Sequence, residues 1–167
     1  GLCLVGSEMC IRDRNIDYSF SRTYFSSKFE KEKKVNHRYV NYDLHNINEF
    51  KEVLIKKPIP KGLNVTTPYK KEVIPFLDDL SEEAKTINAV NTIVWDANGK
   101  IIGHNTDHIG FEKSLYESIN IKPKKALILG TGGAAGAIEF VLRKMDCIFP
   151  VSYAHLTLPT NCVVEVS

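Results

Sequence analysis

The stretch Ala126-Leu-Ile-Leu-Gly-Thr-Gly-Gly-Ala-Ala-Gly136 restricts the possible folds of this chain more than any other. Four apolar residues run into a tight glycine turn and then into small residues, the order of a buried strand followed directly by a helix. Glycines at 130 and 132 let the backbone approach a pyrophosphate, and Ala135 lets the helix pack closely on the strand. The amides at the helix start, with the helix dipole, favour negative charge there. Gly130, Thr131, Gly132, Gly133 and Ala134 are therefore the candidate phosphate-binding residues. The spacing is G-x-G-x-x-A, which says little by itself and gains weight from the strand before it. A tight strand–helix turn without a ligand is the competing reading. The residue that separates NAD from NADP normally lies ~20 residues further on. Here that count reaches Pro150, where the sequence changes character, so cofactor choice stays open on residues alone.

From Asn15 to Phe149 helical and strand patterns alternate, which predicts α/β layers with a largely parallel sheet. Ser19 or Ser21 can cap a helix running to about Lys33. Strands are expected over 38–44 and 63–66, with a helix over 48–57 between them. A helix over 69–80, bent or shortened by Pro75, is followed by one opening at Ser81-Glu-Glu and ending near Asn88. Val90–Trp95 and Lys100–Gly103 read as a hairpin around Asp96-Ala-Asn-Gly99. Helices are expected over 108–119 and 132–145, on either side of the strand 126–129.

At 167 residues and 43% hydrophobic the chain can bury a core. A formal charge of +2 gives no argument for nucleic acid or a membrane surface as partner. Lys28–Lys34 looks basic, but Glu30 and Glu32 interrupt it, so it reads as a solvated helix face. No apolar run approaches the ~18 residues of a membrane span, and the expected compartment is the cytoplasm. The two ends read differently from the middle. Leu4-Val-Gly-Ser-Glu-Met-Cys-Ile-Arg-Asp-Arg14 resembles the translation of a transposon-end adapter used in sequencing libraries. Pro150-Val-Ser-Tyr-Ala-His-Leu-Thr-Leu-Pro-Thr160 resembles the matching adapter read on the opposite strand. Both ends are therefore expected to lie outside the fold. Setting them aside leaves Cys147 alone among the cysteines, so neither a disulfide framework nor a metal site is expected.

Oxidising a secondary alcohol needs a hydride acceptor and a group to take the hydroxyl proton. A lysine suits that task when neighbours and burial lower its pKa, and a carboxylate can orient it. Lys70 follows a proline-fixed turn and Asp107 follows the hairpin; only a tertiary fold could bring them together.

Three motifs carry a resemblance: Asn64-Val-Thr-Thr-Pro-Tyr-Lys70, Ala89-Val-Asn-Thr92 and Asn105-Thr-Asp107. In that order, and followed by the glycine turn, they resemble the shikimate dehydrogenase family, and the likeness covers nearly all of residues 15–149. It implies an N-terminal substrate-binding α/β domain followed by the start of a Rossmann-type dinucleotide-binding domain. The expected division is 1–14 adapter-like, 15–107 substrate-binding and catalytic, 108–149 linker helix and partial NADP-binding domain, and 150–167 adapter-like.

The resemblance also implies roles. Lys70 and Asp107 would form the catalytic pair and touch substrate. Asn91 and Thr66 would line the substrate pocket, with Asn91 on a hydroxyl. Asp17-Tyr-Ser-Phe-Ser21 resembles the family's S-x-S motif, so Ser19 and Ser21 would bind the substrate carboxylate; helix capping is compatible with that. Glu82 would lie near the nicotinamide. The implied cofactor is NADP, with NAD not excluded. The implied reaction is the reversible reduction of 3-dehydroshikimate to shikimate in aromatic amino acid biosynthesis, by a possible homodimer. A quinate/shikimate dehydrogenase using NAD is one alternative, and a non-catalytic remnant binding substrate or nucleotide weakly is another. Asn88 departs from the family's usual glycine, but asparagine tolerates positive φ. The family's Asn-Arg-Thr segment and its glutamine-bearing return helix have no counterpart here, so this chain is expected to be an impaired fragment.

Overall fold

A computed structural model describes residues 8–12, 20–55, 57, 59–119, 123–152 and 163–166. The chain divides into two units, one comprising 1–80 with 90–104 and the other 81–89 with 105–167. Drawn by packing, the division thus assigns 81–89 to the second unit, whereas the sequence division keeps all of 15–107 together.

The first unit is built on a six-stranded sheet. In chain order its strands are β1 (Glu8–Arg12), β2 (Tyr39–Asp43), β3 (Gly62–Val65), β4 (Asp79–Leu80), β5 (Thr92–Trp95) and β6 (Ile101–His104). Their spatial order is β2-β1-β3-β5-β6-β4. Pairing is parallel across β2-β1-β3 and β6-β4, and antiparallel across β3-β5-β6. The sheet is therefore mixed rather than largely parallel, because the two-strand hairpin enters it next to β3 and brings antiparallel pairing with it. Helices α1 (Phe20–Lys31) and α2 (Phe50–Ile55) belong to this unit. Phe50, Leu63, Val73, Val90 and Ile93 are fully buried.

The second unit contains α3 (Glu82–Ile87), α4 (Asp107–Ser118), β7 (Ala126–Leu129), α5 (Gly133–Lys144), β8 (Val151–Ser152) and β9 (Val163–Val166). Its sheet has the order β8-β7-β9, parallel to β8 and antiparallel to β9. Ala126, Ile128, Ala135, Ile138, Leu142 and Cys147 form one cluster of its core. Leu115, Val141 and Met145 form another, where α4 meets α5. Among the described residues no helix is long and apolar enough to cross a membrane.

Two further expectations change with the structure. The helix expected over 69–80 is instead a series of turns with a 3-10 helix at Ile74–Phe76, then the short β4. Pro75 removes an amide and clashes with the preceding turn, which a single helical turn survives and a three-turn helix does not. The second concerns the ends set aside on sequence: β1 lies inside the six-stranded sheet, and β8 and β9 flank β7. Ladder pairing asks only for extended, β-compatible chain, and Met9-Cys-Ile11 and Val163-Val164 satisfy that.

One glycine is set by packing. A Cβ on Gly103 would stand 2.6 Å from Leu77 Cδ1 and 2.8 Å from both Leu80 Cδ2 and Val90 Cγ2. No larger residue fits β6 at that point without displacing the segment beneath it.

Candidate active site

In the first unit, three of the sequence-selected residues are fixed at one end of the sheet by backbone bonds. The chain leaves β3 at Val65 and turns through Thr66-Thr67-Pro68, with a cis peptide between Thr67 and Pro68. The Tyr69 amide donates to the Thr66 carbonyl at 3.0 Å. The buried Tyr69 ring reaches back so that its hydroxyl donates to the Leu44 carbonyl at 3.0 Å, tying the turn to the end of β2. Lys70 comes next and is half-buried; its carbonyl accepts from the Val90 amide at 2.7 Å.

Asn91 is held from both sides. Its carbonyl accepts from Val65 N at 2.8 Å and its amide donates to His104 O at 3.0 Å. Its side-chain oxygen accepts the Thr92 hydroxyl at 3.1 Å. Thr66, Lys70 and Asn91 thus sit around the C-terminal end of β3 on a backbone with little freedom. Ser21 is half-buried in the first turn of α1, one residue inside the helix rather than at its cap. Ser19 lies outside the described residues.

In the second unit, Asp107 opens α4. The side chain behind it is Asn105, only 3% exposed. Its Oδ1 accepts from the Asp107 amide at 3.0 Å and, more loosely, from the His108 amide at 3.4 Å. Its Nδ2 donates to the Ala89 carbonyl at 3.0 Å. Asn105 therefore caps the helix that carries Asp107 and pins that helix to the residue following α3. In sequence Asn105 stands in the Asn-Thr-Asp motif without a role of its own; its bond to Ala89, sixteen residues away, leaves no local signal. His108 packs edge-on against Phe140 with ring centroids 5.2 Å apart. Asp107 belongs to the second unit and Lys70 to the first.

The turn before Ala89 behaves as its sequence suggested. Ser81 caps α3 by accepting from the Ala84 amide at 3.2 Å, and Asn88 ends the helix in the left-handed region at φ 55°. Asparagine takes the place a glycine would otherwise hold there. Glu82, in the first turn of α3, is exposed and accepts from Lys85 Nζ at 2.9 Å.

The glycine turn leaves its backbone open. Gly130 has φ 123°, a conformation that L side chains rarely adopt, and no atom lies within 4 Å of a Cβ built at Gly130 or at Gly132. Thr131, Gly132 and Ala134 are exposed, whereas Ala135 is buried against the core. Gly132 is the N-cap of the twelve-residue α5 and adds no side chain of its own there. An open glycine cradle at a helix N-terminus suits an anion with backbone amides as donors. Further along, α5 crosses α3 closely, and a Cβ on Gly136 would stand 2.9 Å from the Ile87 carbonyl oxygen. Among the described residues no group of three His, Cys, Asp or Glu could hold a metal ion.

Residues 12–93 match the family described as the shikimate dehydrogenase substrate binding domain. An NADP(+) shikimate dehydrogenase of Carboxydothermus hydrogenoformans is 55% identical over 83 residues, which are 49% of this chain and 29% of that protein. One from Clostridium botulinum (strain Loch Maree / Type A3) is 40% identical over 139 residues, 80% of this chain and 52% of its own length. A solved shikimate dehydrogenase in complex with NADP+ superposes with a TM-score of 0.77 at 36% identity, covering 89% of this chain and 51% of that one. The chain thus spans about half the length, or less, of the relatives it matches.

Proposed function

On its similarity to shikimate dehydrogenases, we propose that the whole protein carrying this chain interconverts 3-dehydroshikimate and shikimate with NADP(H). The observation that carries this reading is the backbone-locked grouping of Thr66, Lys70 and Asn91 at the end of β3. Binding a small polyol acid in one orientation requires polar side chains that do not wander, since each mobile one costs ordering entropy.

In this reading Lys70 and Asp107 manage the proton of the reacting hydroxyl. When shikimate is oxidised, the alcohol O–H proton passes to Lys70, and Asp107 orients the lysine and balances its charge. In the reverse direction Lys70 returns the proton to the forming alkoxide. Thr66 and Asn91 hydrogen-bond the ring hydroxyls and set which carbon faces the cofactor. Ser19 and Ser21 bind the carboxylate. The glycine cradle, Gly130 to Ala134, holds the diphosphate with backbone amides, and Glu82 lies towards the nicotinamide. When bound, the dinucleotide supplies or accepts the hydride at its nicotinamide ring.

The test is a spectrophotometric assay of the whole protein with shikimate or quinate and with NADP+ or NAD+. Shikimate-dependent reduction of NADP+ that exceeds the other three pairings supports the proposal. Preference for quinate with NAD+ replaces it with the quinate reading. A whole protein that binds shikimate yet turns over neither cofactor makes this a binding remnant.

A further inference from the structure

The basic run Lys28–Lys34 reads in sequence as a solvated helix face, but the structure folds its end over a groove. Where α1 hands over to β2, a depression of about 670 Å³ opens in the first unit. Its rim carries Arg22, Lys33, Lys34 and Arg38 against a single carboxylate, Glu30. Its floor is aromatic, made by Phe29, His37 and Tyr39, with Phe25 stacked on Tyr39 at 5.2 Å from behind.

Three features distinguish this groove from an ordinary lysine-rich surface. First, its floor is built on packed aromatic rings, since Phe29 and Tyr39 are 8% and 5% exposed. Second, His37 packs against Phe29 with centroids 5.4 Å apart, and both of its ring nitrogens are buried with no hydrogen-bond partner among the described residues. Buried polar atoms are nearly always partnered, so an orphaned imidazole beside a cavity asks for a group that the cavity would bring. Third, the local field is positive: neighbouring Glu32 is held below the usual carboxylate range, first by its hydrogen bond from Lys34 and then by the charges of Lys34 and Lys28.

The groove is also separate from the candidate active site. Tyr39 and Gly62 share one edge of the parallel ladder through Glu8, so the groove lies at the N-terminal end of these strands, whereas Thr66, Lys70 and Asn91 surround the C-terminal end of β3.

We propose that this groove is a second ligand site, for a small organic dianion with a flat apolar body, the body on the Phe29–His37–Tyr39 floor and the anionic group between Lys33 and Arg38. Neither of those two cations is engaged in an ion pair among the described residues. An arginine fork accepts a phosphate or carboxylate in two parallel bonds, and a lysine follows it as a mobile point charge. Entry of the anion past these flexible side chains would also give His37 an acceptor.

The experiment is a titration of the chain with phenyl phosphate, followed by calorimetry and by amide shifts, with inorganic phosphate as the comparison. Saturable binding at or below about 1 mM is expected, weakened by added salt as an exposed charge pair must be. Shifts should be confined to Arg22–Tyr39, and inorganic phosphate should bind at least about tenfold more weakly. Arg38→Gln and Lys33→Asn should each weaken phenyl phosphate by about threefold or more. Lys33 has φ 54°, which asparagine tolerates, so that variant removes the charge without straining the turn. His37→Phe keeps the ring packing, removes both nitrogens and should weaken binding as well. Equal binding of inorganic phosphate, or affinity unchanged in folded Arg38→Gln and Lys33→Asn variants, would overturn the proposal and return the basic run to a plain solvated surface.

Discussion

At the scale of single residues, the proposed chemistry rests on side chains whose own backbone is already fixed. The Lys70 main chain is tied down, because Val90 N donates to its carbonyl at 2.7 Å. In the whole protein, Lys70→Ala is expected to lower kcat for shikimate oxidation by about a hundredfold or more, the usual scale for a positioned acid or base. The substrate KM should change far less; near-normal turnover would remove Lys70 from the mechanism. Asn105 differs, since its side chain bonds the backbone at Asp107 and Ala89 and would act on the reaction only through Asp107. Asn105→Ala strips the cap from α4 and leaves the Ala89 carbonyl and the Asp107 amide without their partner, which costs about 1–3 kcal/mol. Urea unfolding of this chain should show that loss, and the whole protein should lose turnover alongside it. Asn105→Ala with an unshifted urea midpoint would deny it the positioning role. Residues of this kind explain what sequence could and could not convey. Asn88 was legible, because a left-handed helix end needs glycine or asparagine whatever surrounds it, and its φ is 55°. Asn105 was not, because its importance comes from Ala89, sixteen residues away, and no local pattern encodes that meeting.

At the scale of elements the same distinction holds. The hairpin was legible because its turn chemistry is local: Asp96 Oδ1 accepts from the amides of Asn98 at 2.8 Å and Lys100 at 2.9 Å, and Gly99 supplies the positive φ. The strand at 126–129 was legible from four apolar residues ahead of glycine. The segment 69–80 was misread as a helix because apolar spacing there serves another purpose: Leu77 and Leu80 pack over Gly103, and Asp78 Oδ2 accepts from the Ile101 amide at 2.7 Å. Tertiary partners replaced the helical bonds that Pro75 weakens. The hairpin turn also carries a pH dependence. The amides of Lys100 and then Asn98 hold the Asp96 carboxyl below the ordinary aspartate range. Since the folded pKa is the lower one, the stabilisation is complete above the unfolded value of about 3.9 and is lost as pH falls through the folded pKa. Hydrogen-exchange protection of the Asn98 and Lys100 amides should therefore fall on acidification below about pH 4, sooner than protection of the Thr92–Trp95 ladder. Asp96→Asn should flatten that dependence, and a turn equally protected at every pH would show that the carboxylate is not what closes it.

At the scale of the whole molecule, the sequence motifs are shared out between two units. The first holds Thr66, Lys70 and Asn91 and the second holds Asp107, Glu82 and the glycine cradle. Under the proposed function the substrate falls to residues of the first unit and the cofactor diphosphate to residues of the second. If the assignment of ligands to units is right, each ligand should stabilise its own platform first. A ligand that binds only the folded form contributes about 2.7 kcal/mol at a hundred times its Kd, whichever part of the fold it touches. Hydrogen exchange of the whole protein separates the two contributions. Saturating shikimate should slow exchange chiefly at Val65, Tyr69, Val90 and Asn91, whose amides form the locked end of the first unit's sheet. NADP+ should slow it chiefly over Thr131–Gly136, where the cradle meets α5. Adding both should also slow exchange at Asp107 and His108, whose amides Asn105 holds, because the proposed proton transfer uses Asp107. NADP+ protection confined to the first unit would misplace the cofactor.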